Sequence, residues 1–304
     1  MAELGKEMAE LDVEKNRQEV RFLLTGYYLD LCKLGNQMEV VRQNIALTQK
    51  EIAQMKARRE QGTVLQNDIT RYEFQLQSLE LTLTKLTDAS TIINHQLVTT
   101  LHLPEQTVIV PDKNELNTEI NALSAITAQD TWQQTATSNN LGIRQSEVAA
   151  NLAEQKVKQA KAESLPSVAV VAENQDLIPK DCNVNVWFVG IGVKFSLGSL
   201  WKNKHHIRKA RTEHRQSKEA LALAREGVEN AVQANYTNLL TSYTEVKTQQ
   251  KYSVVQNRYQ NDLALLTDMV DASNMKLSAE MALVNARISM LYNFYTLKYV
   301  TNTL

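Results

Sequence analysis

The chain has 304 residues, 43% of them apolar, with four prolines, nine glycines and a net charge of -1 from 33 basic and 34 acidic residues. That length allows two domains, but so little loop punctuation calls for a few long elements, and aromatics at 6% suit long, partly solvated helices better than a thick core. Interleaved, balanced charge without a basic stripe carrying aromatics excludes a nucleic-acid footprint. The short run from Lys202 to Arg215 reads as a solvated face near a membrane-water boundary. Cys32 and Cys182 stand far apart with no CxxC and no histidine cluster, which excludes a disulfide framework. No stretch approaches the roughly 18 uninterrupted apolar residues of a transmembrane helix, and the opening MAELGKEMAELDVEK is charged throughout instead of carrying an apolar signal core.

Residues 3 to about 57 hold no proline, and Gly26 and Gly35 sit inside helix-favouring sequence. One helix of roughly 50 residues would run about 75 Å at 1.5 Å per residue. It leads into one half of an internal repeat: residues 58–76 and 258–277, 200 positions apart, each end a helical run, turn and restart. Arg58/Arg258, Leu65/Leu265 and Asp68/Asp268 anchor the two copies, and Gly62 and the Asn261-Asp262 pair are their breakers, so each copy predicts a helical hairpin of antiparallel arms. The first return arm carries Ile69, Tyr72, Leu76, Leu79, Leu83, Leu86, Ser90, Ile93 and Leu97 at alternating spacings of three and four, a heptad seam that argues coiled-coil packing.

Residues 101–142 interrupt that pattern with Pro104, Pro111, polar runs and Ser138-Asn139-Asn140-Leu141-Gly142, and predict a small mixed region. A helix over 143 to about 164 must stop before Pro166, which pushes its predecessor out of the α region. The period then changes to two over 185–197. One face holds Trp187, Val189, Ile191, Val193, Phe195 and Leu197; the other holds Phe188, Gly190, Gly192, Lys194 and Ser196. Residues 167–175 supply the partner strand. Taken alone, the alternation fits a membrane barrel wall or a soluble sandwich equally well. Helical sequence resumes after Gly198 for roughly 50 residues, with Leu221, Ala224, Val228, Ala231, Asn235, Leu239, Tyr243 and Val246 along one side. The second return arm carries two stripes, Val270, Leu277, Met281, Val284, Ile288, Leu291 and Tyr295 beside Leu283, Met290 and Leu297, as a helix with neighbours on both flanks requires.

No enzyme signature accompanies these elements. His205-His206 point about 100° apart on a helix with no third ligand at useful spacing, so they form no metal site, and His95, His102 and His214 have no acid-base partner. No phosphate loop, nucleophile elbow or zinc spacing is present. Asp268 and Asp271, three apart on one helical face, suit either a carboxylate pair lining a pore or a helix N-terminal cap. For Asn67-Asp68, capping is the expectation.

Taken in order, these features resemble the TolC-type outer-membrane efflux channel family over nearly the whole chain. The specific points are Arg258-Tyr259 followed by Leu265-Leu266-Thr267-Asp268-Met269-Val270-Asp271-Ala272 at one tip and Gly62 through Asp68 at the other. Leu165-Pro166-Ser167 opening a strand, Trp187-Phe188-Val189-Gly190-Ile191-Gly192 in the next, and residues 139–144 before the intervening helix support it. The resemblance implies a mainly α protein: long antiparallel hairpins forming an α-barrel wall, and a short strand pair contributing to an outer-membrane β-barrel. It divides the chain into a first hairpin (1–100), a mixed equatorial region (101–142), a helix (143–165), the strand pair (166–198) and a second hairpin (199–304).

It further implies a homotrimer in the outer membrane that reaches into the periplasm and meets a periplasmic adaptor and an inner-membrane pump or ABC transporter at the tips. Passive export, with no cofactor and no metal, would be its work. Asp268, Asp271 and Tyr259 would form the pore constriction; where the family has a basic latch partner this chain has Ala264. Gly62, Thr63, Asp68, Asp262 and Leu263 would be the adaptor-contacting tips, and Trp187, Val189, Ile191, Val193 and Phe195 the lipid-facing strand.

Two departures from the family pattern are expected. Residue 1 reads as the third element, so the family's signal peptide, first helix and first strand pair are absent from this chain, as in a fragment. From Tyr28 to Arg58 is 30 positions but from Tyr236 to Arg258 only 22, so the second descending arm is short by about eight residues, or about 12 Å. The competing reading is a soluble periplasmic adaptor or coiled-coil scaffold that uses the tips for protein contacts. In a scaffold the Trp187 face packs against other parts of the protein; in a channel it stays bare.

Overall fold

The structure is a computed structural model that describes residues 1–123, 128–163, 165, 167–177, 184–194, 199–259 and 266–304. In chain order the described elements are α1 (Ala2–Glu60), α2 (Gln66–Thr100), α3 (Lys113–Ala122), α4 (Gln129–Asn139), α5 (Leu141–Ala162), β1 (Ser167–Leu177), β2 (Val184–Lys194), α6 (Ser199–Tyr259) and α7 (Leu266–Val300). The fold is mainly helical with one antiparallel strand pair. Contacts divide it into two compact units, one of Met1–Glu14 with Leu141–Gly227 and one of Lys15–Asn140 with Val228–Leu304.

In the larger unit, every position of the heptad seam on α2 is buried or half-buried. Near the tip, Ile69 and Tyr72 close on Ile52 and Met55 of α1. The main core gathers Leu29 and Cys32 of α1, Val232, Leu239 and Val246 of α6, and Ile288, Met290, Leu291 and Leu297 of α7. Each such aliphatic side chain, taken fully out of water, contributes about 1.5–3 kcal/mol. Both stripes of α7 are covered as the sequence requires: Ile288 and Leu291 from one and Met290 and Leu297 from the other are buried. The described residues of the mixed region comprise a stretch without regular structure and two short helices tied to the end of α7. Tyr295 Oη donates to Glu119 Oε1 at 2.8 Å, the Asn140 amide donates to Val300 O at 2.8 Å, and Trp132 meets Phe294 edge-on with centroids 6.1 Å apart.

A row of polar residues on α1 faces α7 within this unit. Gln37, Asn44 and Thr48 are buried. The Gln37 amide donates to Asn285 Oδ1 at 2.8 Å and the Asn44 amide to Glu280 Oε2 at 3.3 Å. One turn further along, burial pushes the Glu51 carboxyl above its ordinary range, an effect that the Lys276 charge opposes in part. Burial, with the Glu51 charge adding to it, raises the Tyr72 phenol to about 12.

The 200-position repeat extends beyond the tips. The return arms α2 and α7 are both 35 residues and end in the same cap. At the end of α2, His102 takes φ 53° and Leu103 N–H donates to Val98 O at 2.9 Å; at the end of α7, Asn302 takes φ 56° and Thr303 N–H donates to Lys298 O at 2.9 Å. The descending arms do not share that spacing. In the first hairpin Thr87 of α2 touches Met38 of α1, which puts Ile93 near the level of Cys32. Asn293, 200 beyond Ile93, binds Asn238 O and Ser242 Oγ, six to ten positions past Val232, the residue 200 beyond Cys32. The pairing thus carries the offset of about eight residues expected between the two arms.

In the smaller unit, Leu4, Met8 and Leu11 of α1 form a seam at spacings of four and three against Leu141, Val148 and Leu152 of α5. Ile207 and Ala210 of α6 pack on Val157 and Ala160 of α5. The Gln145 amide donates to Asp12 Oδ1 at 2.6 Å, and Arg225 pairs with Glu147 at 2.7 Å.

Candidate functional site

The strand pair belongs to the smaller unit and has eleven residues on each side. β1 runs two residues past the expected end, and β2 is described to Lys194, so Phe195 lies outside the described residues. Val and Ile at alternate positions favour the extended backbone, and their branched side chains suit a pleated surface. The antiparallel register pairs Val168 with Val193, Val170 with Ile191, Ala172 with Val189 and Asn174 with Trp187. Directly opposed residues share a face, so one side of the pair is Val168, Val170, Ala172, Val189, Ile191 and Val193, ending in Trp187 beside Asn174. The other side alternates Ser167 and Lys194, Ala169 and Gly192, Val171 and Gly190, and Glu173 and Phe188.

Among the described residues nothing covers the apolar face: Val170 is 75% exposed, Val189 77%, Ile191 76% and Trp187 70%. The sequence singled out the β2 half of this surface. The β1 half, Val168, Val170 and Ala172, follows only once the register is known. A contiguous apolar surface of this kind is unstable in water and marks a place where something apolar sits. Among the described residues no helix is long and apolar enough to cross a membrane.

The first tip is built around Gly62. Its φ of 75° is the left-handed conformation that closes α1: Gly62 N–H donates to Arg59 O at 2.8 Å and Thr63 N–H to Arg58 O at 3.1 Å, while the Thr63 hydroxyl donates to the same carbonyl at 2.9 Å. The expectation that Asn67-Asp68 caps the next helix is overturned. α2 starts at Gln66 with extended Leu65 as its N-cap and no side-chain cap, because the turn at Gly62 ends early and leaves Asn67 and Asp68 already inside the first turn. Asp68 therefore acts on the positive end of the helix through its charge. Asp268 is the third residue of α7, as Asp68 is of α2, and Asp271 follows one turn later; Tyr259 is the last residue of α6. Asp262, Leu263 and Ala264 lie outside the described residues, as does Cys182.

Among the described residues no group of histidines, cysteines and carboxylates could hold a metal ion. The Glu154 carboxyl is held below its ordinary range, first by the hydrogen bond and charge of Lys158, with His214 and Lys218 adding to it. Lys218 of α6 thus contributes to the field on Glu154 of α5, whose ion pair is with Lys158 at 3.0 Å.

Among curated proteins, none matches the chain by sequence. The profile of the family described as outer membrane efflux protein matches residues 132–303. Solved structures share the fold at low identity. One is the outer-membrane channel OprN, with a TM-score of 0.75 and 16% identity over 99% of this chain and 70% of that one. Another is the outer membrane protein VceC of Vibrio cholerae, with a TM-score of 0.67 and 15% identity over 97% of this chain and 72% of that one. A third is the open state of the Neisseria gonorrhoeae MtrE outer membrane channel, with a TM-score of 0.73 and 15% identity over 99% of this chain and 69% of that one. With the family profile spanning more than half of its length, the chain belongs to the outer membrane efflux protein family, a family of transport channels.

Proposed function

We propose that this protein is the outer-membrane duct of a tripartite efflux or type I secretion system, a passive channel closed at its helical tips. The bare apolar face of the strand pair carries the reading. Its eleven-residue strands match the roughly 9–11 residues of a tilted membrane-crossing strand, and its Val and Ile rungs end in a Trp, the residue type that favours the membrane-water boundary. Lipid tolerates no unpaired strand edge, so the pair must be continued by other strands, and in a homotrimer each copy would give its pair to one shared barrel. The long hairpins then extend into the periplasm, where the tips carrying Gly62, Thr63, Asp68, Asp262 and Leu263 meet an adaptor and, through it, an inner-membrane pump or ABC transporter.

Asp268 and Asp271, with Tyr259, form the constriction. Two carboxylates one helical turn apart, repeated around a narrow ring, attract cations and slow their passage. Planar-bilayer recording of the protein tests this. Discrete conductance steps blocked by added divalent or trivalent cations are expected, with the block weakened by Asp268→Ala combined with Asp271→Ala. Absence of conductance refutes the channel, and unchanged block in the double variant refutes the constriction.

A further inference from the structure

Arg225 of α6 binds Glu147 of α5 at 2.7 Å. Seven residues along each helix, Lys218 comes to the level of Glu154, which is itself ion-paired with Lys158 at 3.0 Å. The next step of seven, towards the strands, brings Lys161 to the level of Arg211. The register that set an acid opposite a base at Glu147 and Arg225 here sets a base opposite a base. Beyond it the same line of α6 continues as Arg208 and Lys204, so Lys204, Arg208, Arg211, Arg215 and Lys218 follow one another at spacings of four and three along one helical face. Lys161, Lys204, Arg208, Arg211 and Arg215 are exposed, and none of them has a carboxylate partner among the described residues. α6 also opens with no acidic residue in its first turn, so its positive end adds to the excess.

Position decides what offsets this charge. Lys161 is in the last turn of α5, six residues before β1, and Lys204 is ten residues after the end of β2. These cations therefore stand between the strand pair with its bare apolar face and the Arg225–Glu147 pair further along the helices. Apolar surface continued by unpaired Lys and Arg is the pattern that meets acyl chains and then anionic headgroups.

We propose that Lys161, Lys204, Arg208 and Arg211 form a binding surface for the headgroups of anionic phospholipids in the periplasmic leaflet. The proposal rests on the channel reading above and adds the lipid class. Each cation near an anionic surface strengthens binding about fivefold, so removing three weakens it about a hundredfold.

The test compares the protein with a Lys204→Gln, Arg208→Gln, Arg211→Gln variant in vesicles of phosphatidylcholine alone and with phosphatidylglycerol added. The readouts are phosphatidylglycerol retained on the purified protein and single-channel conductance. The parent should retain phosphatidylglycerol, and the triple variant should lose it while conducting normally in phosphatidylcholine. Replacing both arginines by lysine should preserve retention. Equal retention by parent and triple variant overturns the proposal. So does a changed ion selectivity with unchanged lipid retention, because the stripe would then line the tunnel. Failure of the parent to conduct in any lipid tells instead against the channel reading.

Discussion

Replacing Ile191 by lysine places a cation in the middle of the apolar face without disturbing any packing inside the chain. Ile191 is 76% exposed and stands opposite Val170 on the same face. From Val193 to Trp187 the strand covers about 20 Å at about 3.4 Å per residue. With a tilt of about 40° that is about 15 Å of membrane depth, with Ile191 inside the span rather than at its rim. A lysine near the bilayer midplane costs about 2–4 kcal/mol on the lipid face of a barrel. This corresponds to roughly a 30- to 700-fold shift in the insertion equilibrium. The assay is denaturant titration of the vesicle-inserted protein, with Gly190→Lys as the control. Gly190 pairs with Val171 on the opposite face, and a side chain added there meets nothing within 4 Å. Ile191→Lys should lower the midpoint strongly and Gly190→Lys only slightly. Equal effects, or a larger effect at Gly190, would refute the assignment of the lipid face.

Leu291 of α7 is fully buried in the main core of the larger unit, so Leu291→Ala should cost about 2–5 kcal/mol in urea unfolding; a loss below about 1 kcal/mol would show that the site collapses around the gap. Glu51 has its carboxyl raised in the folded state, so the neutral form is favoured by folding. Its contribution is fully present below the unfolded pKa and is lost as pH rises through the folded value. Glu51→Gln should therefore raise the melting temperature at pH 7 and leave it unchanged near pH 3, and a gain confined to acid pH would contradict that sign.

Much of the fold was legible because it repeats and because its helices bury apolar stripes. The 200-position spacing located the first tip and placed the second between α6 and α7, and the seam from Ile69 to Leu97 and the double stripe on α7 predicted their own burial. The strand pair was equally plain, since a change of period from 3.6 to two is a strong local signal. What periodicity could not show was polar burial. Gln37, Asn44 and Thr48 look like a solvated face until Asn285 and Glu280, more than 200 residues away, are brought alongside. The cap at Asn67-Asp68 was misread because capping depends on where the helix starts, and the turn at Gly62 moved that start back to Gln66. The face of β1 needed the register, and the cation line on α6 needed the neighbouring helix: from sequence, Lys202 to Arg215 is a mixture of charges, and only the Arg225–Glu147 pair sets the register that brings Lys161 to the level of Arg211.

The differing registers of the two hairpins bear on symmetry. Eight residues advance an α-helix by two turns and a further 80°, so the two descending arms present different side chains at matching levels of their return arms. A closed ring of such chains can repeat only once per chain, never once per hairpin. In the proposed channel the mouth would then alternate two kinds of tip, and a partner that binds all around it would need two unlike contact surfaces for every copy of this chain.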